Sequence, residues 1–244
     1  MAHIAVDFFK ERAGVDAVLV VASCARGVAT PGSDLDMVTL ASSITHDERS
    51  ALEVEWEAFK AANAKITELD ALGLATALHL DVIDGVYEPV EWDDGGGPDD
   101  FEVAIGNHVA YSVPLWTGSD AFEHLKQRWL PYYNDALQQR RFAMVKAACF
   151  NDLVFAEHFI GRDQPFRAFE LLYKAYKEFL QALFIARRTY PIVYWKWIRE
   201  QIVEMLGEPD LYGALPAVLE VRSIEGDSML RNAELLRNLV DRWL

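Results

Sequence analysis

The sequence predicts an α+β protein in which an α/β half precedes an all-helical half. Compact apolar runs, rich in valine, lie before residue 118 and are typical of strands. From Ser119 onward, apolar residues recur at spacings of three and four, which is typical of helices. A chain of 244 residues with 52% hydrophobic content can form a core in each half. We therefore predict two domains, 1–118 and 119–244.

Three strands and two helices are predicted in the first half. The strands are a Val-rich run, an alternating DLDMVTL run and an ALHLDVI run, at 15–21, 34–40 and 77–83. Helical spacing predicts helices over 4–13 and 46–63. Segment 88–102, EPVEWDDGGGPDDFE, combines glycines, prolines and acids, so it predicts a solvated loop. A mobile flap over a site is the alternative for this segment.

Four helices are predicted in the second half, over 131–160, 165–190, 195–206 and 227–243. The clearest is FRAFELLYKAYKEFLQALF, where an aromatic stripe from Phe166 to Phe184 follows the helical period. We interpret this stripe as the core of a helical bundle rather than as a cofactor site.

The charge and the cysteines limit the classes of function. A net charge of −15 opposes binding to nucleic acid or to an anionic membrane, because phosphate contacts need a cationic surface. The two cysteines, Cys24 and Cys149, lie far apart and form no zinc-type motif. The sequence contains no secretory leader and no apolar run long enough to cross a bilayer. We therefore expect a reduced, soluble, cytoplasmic protein.

Two acids at alternate positions of the second strand form a candidate metal platform. Successive side chains of a strand point to opposite faces, so Asp34 and Asp36 share one face. Two neighbouring carboxylates repel each other unless a cation lies between them. Mg²⁺ takes oxygen ligands, often one or two carboxylates together with substrate phosphates. A D-x-D pair alone is weak support, because exposed pairs of this kind are common.

The segment before the acids strengthens this hypothesis. Ser23 to Gly27 follows a strand, where backbone N–H groups and the Ser23 hydroxyl are suited to a phosphate oxygen. Arg26 adds a planar cation, and Ser33 leads directly into the acids. Each serine taken singly is typical of a turn or a cap. Their order here favours a phosphate site.

A third carboxylate is needed if two metal ions are held. Asp81 lies between Leu80 and Val82, as a carboxylate that projects from a buried strand should. Asp84 precedes Gly85 and is typical of a strand-end turn. We prefer Asp81 and keep Asp84 as the alternative.

These residues resemble the signature of the polymerase-β-type nucleotidyltransferase superfamily. The signature maps onto Val21-Ala22-Ser23, then Asp34-Leu35-Asp36, then Leu80-Asp81-Val82. The wording "ARG…SDLD" is especially similar to the small bacterial kanamycin-nucleotidyltransferase-like branch. One residue departs from the signature, because Ala22 stands where the family usually has glycine.

The resemblance implies a fold and a reaction. It implies a small mixed, largely antiparallel sheet in the first domain and a helical bundle that forms the other wall of a cleft. Asp34, Asp36 and Asp81 would bind two Mg²⁺ ions and catalyse transfer of a nucleoside monophosphate, with release of pyrophosphate. The nucleotide would be an NTP such as ATP, and the acceptor would be a hydroxyl of a small molecule. Ser23, Arg26 and Ser33 would contact the phosphates.

The resemblance also implies that a lysine from the helical half contacts the triphosphate. Lys174, Lys177 and Lys196 are the candidates, and we prefer Lys196 because two tryptophans flank it after a proline-marked turn. Two rival functions remain: an antitoxin-like or protein-modifying transferase, and a non-catalytic nucleotide-binding module. A homodimer also remains open, because the site is shared between two chains in some relatives.

Overall fold

A computed structural model of the chain describes residues 1–69, 71, 78–92, 97–225 and 228–244. It confirms the α+β class. The chain divides into a first unit, Met1–Glu88 with Ala104–Pro131, and a second unit, Pro89–Val103 with Tyr132–Leu244. The predicted boundary after Gly118 lies inside the first unit of this division, and the predicted loop 88–102 falls almost wholly in the second.

The first unit contains a four-stranded sheet with helices. Its strands are β1 (Ala17–Val20), β2 (Leu35–Leu40), β3 (Leu78–Ile83) and β4 (Val113–Thr117). Its helices are α1 (Ala2–Phe9), α2 (Ala22–Ala25), α3 (His46–Ala62), α4 (Ala64–Leu69), a π-helix (Gly106–Ala110) and α6 (Ala121–Trp129). Helix α5 (Phe101–Ile105) contains the point where the two units divide.

The sheet has the order β3-β2-β1-β4. Strand β1 pairs antiparallel with both β2 and β4, while β2 and β3 are parallel. The expected mixed, largely antiparallel sheet is therefore confirmed. In the parallel pair, Asp36 lies opposite His79 and Val38 lies opposite Asp81.

One face of this sheet is closed by an aromatic cluster. Leu78, Leu80 and Val82 of β3 pack there with residues of α1 and α3. Phe8 and Trp56 hold the centre of the cluster, with ring centroids 5.2 Å apart. Because side chains alternate along a strand, the residues between these leucines and valines must lie on the other face.

Helix α3 begins at a capping box, in which Thr45 Oγ1 accepts from the Glu48 N–H and the Glu48 carboxylate accepts from the Thr45 N–H. Its predicted range, 46–63, matches the observed helix within one residue. The three predicted strands are each found, although each begins one or two residues later. Ala77, at the start of the third predicted strand, lies outside the described residues.

Strand β4 and helix α6 were not predicted. Strand β4, VPLWT, contains Pro114 and is exposed along most of its length, because it lies at the edge of the sheet. It therefore lacks the alternation of buried and exposed residues that identifies a half-buried strand.

The second unit is helical where it is regular. Its helices are α7 (Asp135–Ile160), α8 (Pro165–Ala186), a π-helix (Glu200–Met205), α9 (Pro209–Val218) and α10 (Ser228–Trp243). Ala175, Phe179 and Leu183 of α8 lie in the buried core with residues of α7 and α10. None of the helices in the described part of the chain has the length and apolar content needed to span a bilayer.

Two sequence-based expectations for the second unit are corrected. Phe166 and Phe169 are not core residues, because their side chains are 72% and 38% exposed while Ala168 and Leu172 take the buried positions. The predicted helix over 195–206 is shorter, because the buried Gln201 side chain binds the backbone of Ile192 and Val193.

The acidic segment before α7 is not a solvated loop throughout. Residues 93–96 lie outside the described part, but Glu102 is buried and Asp99 is partly buried beside Arg141. The guanidinium of Arg141 donates to both carboxylates at 2.7–3.0 Å. Tyr133 and Gln181 also donate to Glu102, each at 2.8 Å. This charged cluster ties residues 97–103 to α7 and α8.

Replacing Arg141 with methionine should destabilise the protein by about 3–5 kcal/mol, because it leaves two buried carboxylates without their cation. Urea denaturation of the full chain measures this change. Arg167→Ala is the matched control, because Arg167 forms an exposed pair with Glu170, and its effect should stay within about 0.5 kcal/mol. Equal effects of the two variants would contradict the structural role of Arg141.

A second buried acid, Glu178, is stabilised differently. Its oxygens accept no hydrogen bond from the described residues, and the Lys174 ammonium lies 4.0 Å away, closer to Asp152 at 2.9 Å. Burial, with a further contribution from the Asp152 charge, raises the pKa of Glu178 to about 9. The carboxyl is therefore protonated in the folded protein at neutral pH, whereas it ionises in the unfolded chain above about 4.5.

The stability associated with protonated Glu178 is fully present below pH 4.5 and decreases as the pH rises towards 9. Glu178→Gln removes this dependence, because the amide stays neutral. We expect the variant to gain roughly 2–4 kcal/mol more over wild type at pH 8 than at pH 5, by urea denaturation. Glu234→Gln, at an exposed position of α10, should show the same small change at both pH values. A gain for Glu178→Gln that is independent of pH would refute this account.

Candidate functional site

The turn after β1 has an unusual backbone. Strand β1 ends at Val20, and α2 begins at Ala22, whose φ is +53°. The left-handed region costs an L-residue about 1–2 kcal/mol, and glycine avoids most of this cost. The signature glycine would therefore suit this backbone, and Ala22 occupies it under strain. Ser23 follows and is buried.

This turn lies beside the acidic strand. The Val21 N–H donates to the Asp36 carbonyl at 3.0 Å, and Cys24 Sγ lies 3.4 Å from the Asp34 carbonyl oxygen. The segment that contains the candidate phosphate contacts, Ser23 and Arg26, is thus fixed to the strand that carries two candidate metal ligands.

Ser33 closes a separate turn before β2. Its Oγ accepts from the Thr30 N–H at 2.9 Å and lies 3.2 Å from Thr30 Oγ1. The Ser33 N–H donates to the Thr30 carbonyl at 2.9 Å. Ser33 therefore fixes the path of the loop into Asp34, which is the role typical of a serine in a turn. Its contact with a nucleotide stays a prediction.

Asp36 and Asp81 lie on the same face of the sheet. They are on adjacent parallel strands, offset by one pleat, and Asp81 alternates with the core residues Leu80 and Val82. His79 lies directly opposite Asp36, and its Nδ1 is 3.8 Å from Asp81 Oδ2. Asp34 is exposed and precedes the first residue of β2.

Asp84, the alternative third acid, is directed elsewhere. Its Oδ2 forms an ion pair of 3.0 Å with Arg49, and its Oδ1 accepts from the Val86 N–H at 2.9 Å. Arg49 belongs to α3, which covers the opposite face of the sheet. Asp84 therefore serves as a turn residue with a partner of its own.

The donor set has the chemistry of a magnesium site, but the described residues do not assemble one. Asp34, Asp36 and Asp81 supply carboxylate oxygens, the donor type that Mg²⁺ takes. Within residues 1–69, 71, 78–92, 97–225 and 228–244, no group of three or more His, Cys, Asp or Glu side chains is arranged to hold a metal ion. The residue types fit the ion, and the binding of Mg²⁺ stays a prediction.

His108 was missed by sequence reasoning. It lies on the π-helix Gly106–Ala110, its Nδ1 is buried, and its ring centroid is 6.1 Å from that of Tyr87. Burial lowers the pKa of His108, and the charge of Asp81 opposes this lowering. The local sequence IGNHVAY contains no motif that could have identified this residue, because its relation to Asp81 arises only from the fold.

The three candidate lysines in the second unit differ in their surroundings. Lys174 is held by Asp152 in the helical core, and Lys177 lies over the ring of Tyr173 at 5.3 Å. Lys196 is exposed, and its backbone carbonyl accepts from Gln201 Nε2 at 2.8 Å. Lys196 is therefore the candidate whose ammonium is accessible, and its contact with a triphosphate stays a prediction.

Comparison with solved structures gives several similar chains, one of which is described here. No family model matches the chain, and no curated protein matches it. A nucleotidyltransferase-like protein from Exiguobacterium sibiricum 255-15 has a TM-score of 0.48 and 12% identity, over 98% of this chain and 73% of that one. Function is therefore argued from the site residues of the chain itself.

The strain at Ala22 generates a stability prediction. Ala22→Gly should leave the free energy of unfolding unchanged or raise it by up to about 1 kcal/mol, because relief of the left-handed strain offsets the entropy of the unfolded glycine. Ala22→Val should lower the free energy of unfolding by more than about 1 kcal/mol, because a β-branched residue rarely adopts a left-handed backbone. Urea denaturation measures both variants.

Ala25→Gly is the control, because Ala25 is helical with negative φ and gains no relief from glycine. It should cost about 0.5–1 kcal/mol. If Ala22→Gly is as destabilising as this control, the strained turn is not a property of the protein.

Proposed function

We propose that this protein is a Mg²⁺-dependent nucleotidyltransferase that transfers a nucleoside monophosphate, with ATP as the donor, to a hydroxyl of a small molecule. One observation carries the proposal: Asp36 and Asp81 share a face of the sheet, at the strand to which the turn after β1 is hydrogen-bonded. Carboxylates on one face, beside a turn suited to phosphate, can hold the metal ions that support transfer of a nucleoside monophosphate from a triphosphate.

The residues have separate roles in this proposal. Asp34, Asp36 and Asp81 would hold Mg²⁺ ions, which would supply charge neutralisation and polarisation of the α-phosphate. Ser23, Arg26 and Ser33 would contact the phosphates. Asp81 also accepts the proton of the acceptor hydroxyl.

The reaction balances without a further reactant. A bond forms between the acceptor oxygen and the α-phosphorus, and the bridging bond between the α- and β-phosphates breaks. Pyrophosphate leaves with the electron pair of that bond, while the proton of the acceptor moves to a carboxylate. Positioning and charge neutralisation supply most of the rate enhancement in such a step.

The net charge of the protein indicates the chemical class of the acceptor. With a net charge of −15, the protein attracts cationic molecules, so a small polyhydroxylated cation suits it better as an acceptor than a nucleic acid. An acceptor hydroxyl on a partner protein is the runner-up and is distinguished by experiment rather than by charge.

A non-catalytic nucleotide-binding module is the second candidate function. One observation favours it: among the described side chains, no three acids are gathered to hold a metal ion. Such a module would bind ATP through the turn after β1 and would need neither Mg²⁺ nor Asp81.

The three acids and their matched control decide between these functions. We expect Asp34→Ala, Asp36→Ala and Asp81→Ala each to lower pyrophosphate release at least about a hundredfold, since metal stabilisation of the transition state is worth several kcal/mol. Labelled ATP, incubated with a panel of small amines bearing hydroxyls and with cell lysate, provides the measurement. Asp84→Ala should retain activity, because Asp84 pairs with Arg49 on the other side of the sheet.

Binding of ATP provides a readout independent of turnover. Wild type should bind ATP more tightly with Mg²⁺ than with EDTA, and Asp36→Ala should abolish that difference. If ATP binds equally well with and without Mg²⁺, and equally well in the three aspartate variants, the non-catalytic module is established and the transferase is refuted.

A further inference from the structure

A cavity of about 540 Å³ lies along the groove between α7 and α8, within the second unit. This volume suits one small organic molecule. Phe155, Phe159 and Leu171 supply its apolar lining, and Phe155 is 45% exposed although its side chain is large and aromatic. An apolar wall with a few polar groups is typical of a ligand site. The polar groups of the lining belong to Asn151, Asp152, Arg167 and Lys174.

The two ends of this cavity differ in their charged groups. At one end, Lys174 Nζ lies 2.9 Å from Asp152 Oδ2. At the other end, the Arg167 guanidinium lies 5.9 Å from the ring centroid of Phe159. Asp152 and Phe159 are both on α7, two turns apart, which is about 10 Å along a helix. Phe155 lies between them on α7, so an apolar stretch separates the two charged ends.

The Asp152 end of the cavity contains more buried acid than cation. Asp152 is 3% exposed, and Glu178, one turn beyond Lys174 on α8, is 0% exposed. Lys174 Nζ lies 4.0 Å from Glu178, and among the described residues no other cation forms an ion pair with either acid. Lys177, whose charge also acts on Glu178, lies over the ring of Tyr173 at 5.3 Å. Two carboxyl groups therefore share one ammonium group.

Unsatisfied oxygens accompany this shortage of positive charge. Neither carboxyl oxygen of Glu178 accepts a hydrogen bond from the described residues, and the contact of Asp152 Oδ2 with Lys174 lacks hydrogen-bond geometry. Buried polar atoms are almost always hydrogen-bonded, so each exception calls for a reason. Burial and the charge of Asp152 raise the pKa of Glu178 to about 9, so a proton takes the place of a second cation. The cluster can exchange that proton for one positive charge.

We propose that this cavity binds a primary amine with an apolar body. The ammonium group of the ligand pairs with Asp152, which lines the cavity, and the proton of Glu178 passes to solvent. Two acids and two ammonium groups then balance in charge. The apolar body contacts Phe155 and Phe159, whose ring faces also attract a cation. The inference does not depend on the proposed function, because all of its residues lie on α7 and α8.

Arg167 does not make the cavity a site for an anion. Its guanidinium pairs with Glu170 at 2.6 Å and lies at the end of the cavity away from Asp152. Lys174 is likewise paired, with Asp152. Both cations of the lining are thus already neutralised, whereas Glu178 is not. The acid that lacks a cation therefore decides the sign of the ligand.

Isothermal titration of the full chain with phenylbutylamine, phenylbutanol and phenylbutyrate tests this sign. The three probes share an apolar body and differ in the charge of one end. We expect the amine to bind at least about tenfold more tightly than the alcohol, because a charge-assisted hydrogen bond is stronger than a neutral one. The carboxylate should bind most weakly, because Asp152 repels it.

Two variants of the acids test the charge balance. Asp152→Asn and Glu178→Gln each leave one acid for Lys174, so each should weaken binding of the amine at least about tenfold and leave binding of the alcohol nearly unchanged. Glu178→Gln separates binding from folding, because this variant is expected to gain stability at pH 8 while it loses affinity for the amine.

Phe155→Ala tests the apolar wall. It removes an exposed ring that the amine and the alcohol both contact, so it should weaken binding of both probes, roughly threefold to tenfold. Asp241→Asn and Phe166→Ala are the matched controls, because Asp241 is an exposed acid of α10 and Phe166 is an exposed ring of α8 outside the lining of the cavity. Neither control should alter the affinity for the amine.

Three results would overturn the inference. They are failure of the amine to bind, binding of the alcohol or the carboxylate as tightly as the amine, and wild-type affinity for the amine in both Asp152→Asn and Glu178→Gln. Each of these results leaves the proposed transferase untouched, because its site residues lie in the first unit.

Discussion

The first unit depends on a single constraint, the parallel register of β3 against β2. One face of these strands is committed to the aromatic cluster around Trp56, so each core residue fixes its neighbours to the opposite face. This alternation places Asp36 and Asp81 on the same face of the sheet. A shift of the register by one residue would bury Asp81 and expose the leucines of β3, which makes such a shift very costly. The same packing that stabilises the sheet therefore positions the candidate site.

Two acids buried in the second unit, Glu102 and Glu178, avoid the cost of an unpaired buried charge in different ways. Glu102 shares the guanidinium of Arg141 with Asp99, and Tyr133 and Gln181 donate further hydrogen bonds to it. Burial raises the pKa of Glu178 to about 9, and the negative charge of Asp152 adds to this effect. The pairing with Arg141 holds the acidic segment in one position on α7 and α8. A planar guanidinium donates well to two carboxylates in only one arrangement. Protonation of Glu178 does not position a segment in this way, but it makes the stability of the protein depend on pH.

Sequence reasoning succeeded where periodicity carries the information. Strands β1 to β3 and the long helices were predicted because their apolar residues repeat at the period of the element. Strand β4 was missed because an exposed edge strand has no such repeat. The shared face of Asp36 and Asp81 follows from the alternation of side chains along a strand. The ion pair between Asp84 and Arg49, which distinguishes Asp84 from Asp81, becomes visible only in the structure. The burial of Glu102 was equally inaccessible, because its cation lies 39 residues further along the chain.

Strained backbone separates helix termini from candidate binding segments. Four non-glycine residues in the described chain have positive φ: Ala22, Asp163, Arg188 and Trp197. Arg188 ends α8 in a Schellman motif, where its N–H donates to Ile185 and that of Thr189 donates to Phe184. Asp163 ends α7 in the same way, with donation from its own N–H to Ile160 and from that of Gln164 to Phe159. Helix termination accounts for these two.

Ala22 and Trp197 do not end a helix, because Ala22 is the first residue of α2 and Trp197 precedes the π-helix Glu200–Met205. Ala22 lies in the turn that the resemblance assigns to phosphate, and Trp197 lies beside the lysine that it assigns to the triphosphate. Because the left-handed backbone costs an L-residue about 1–2 kcal/mol, the packing around each of these two residues must offset that cost.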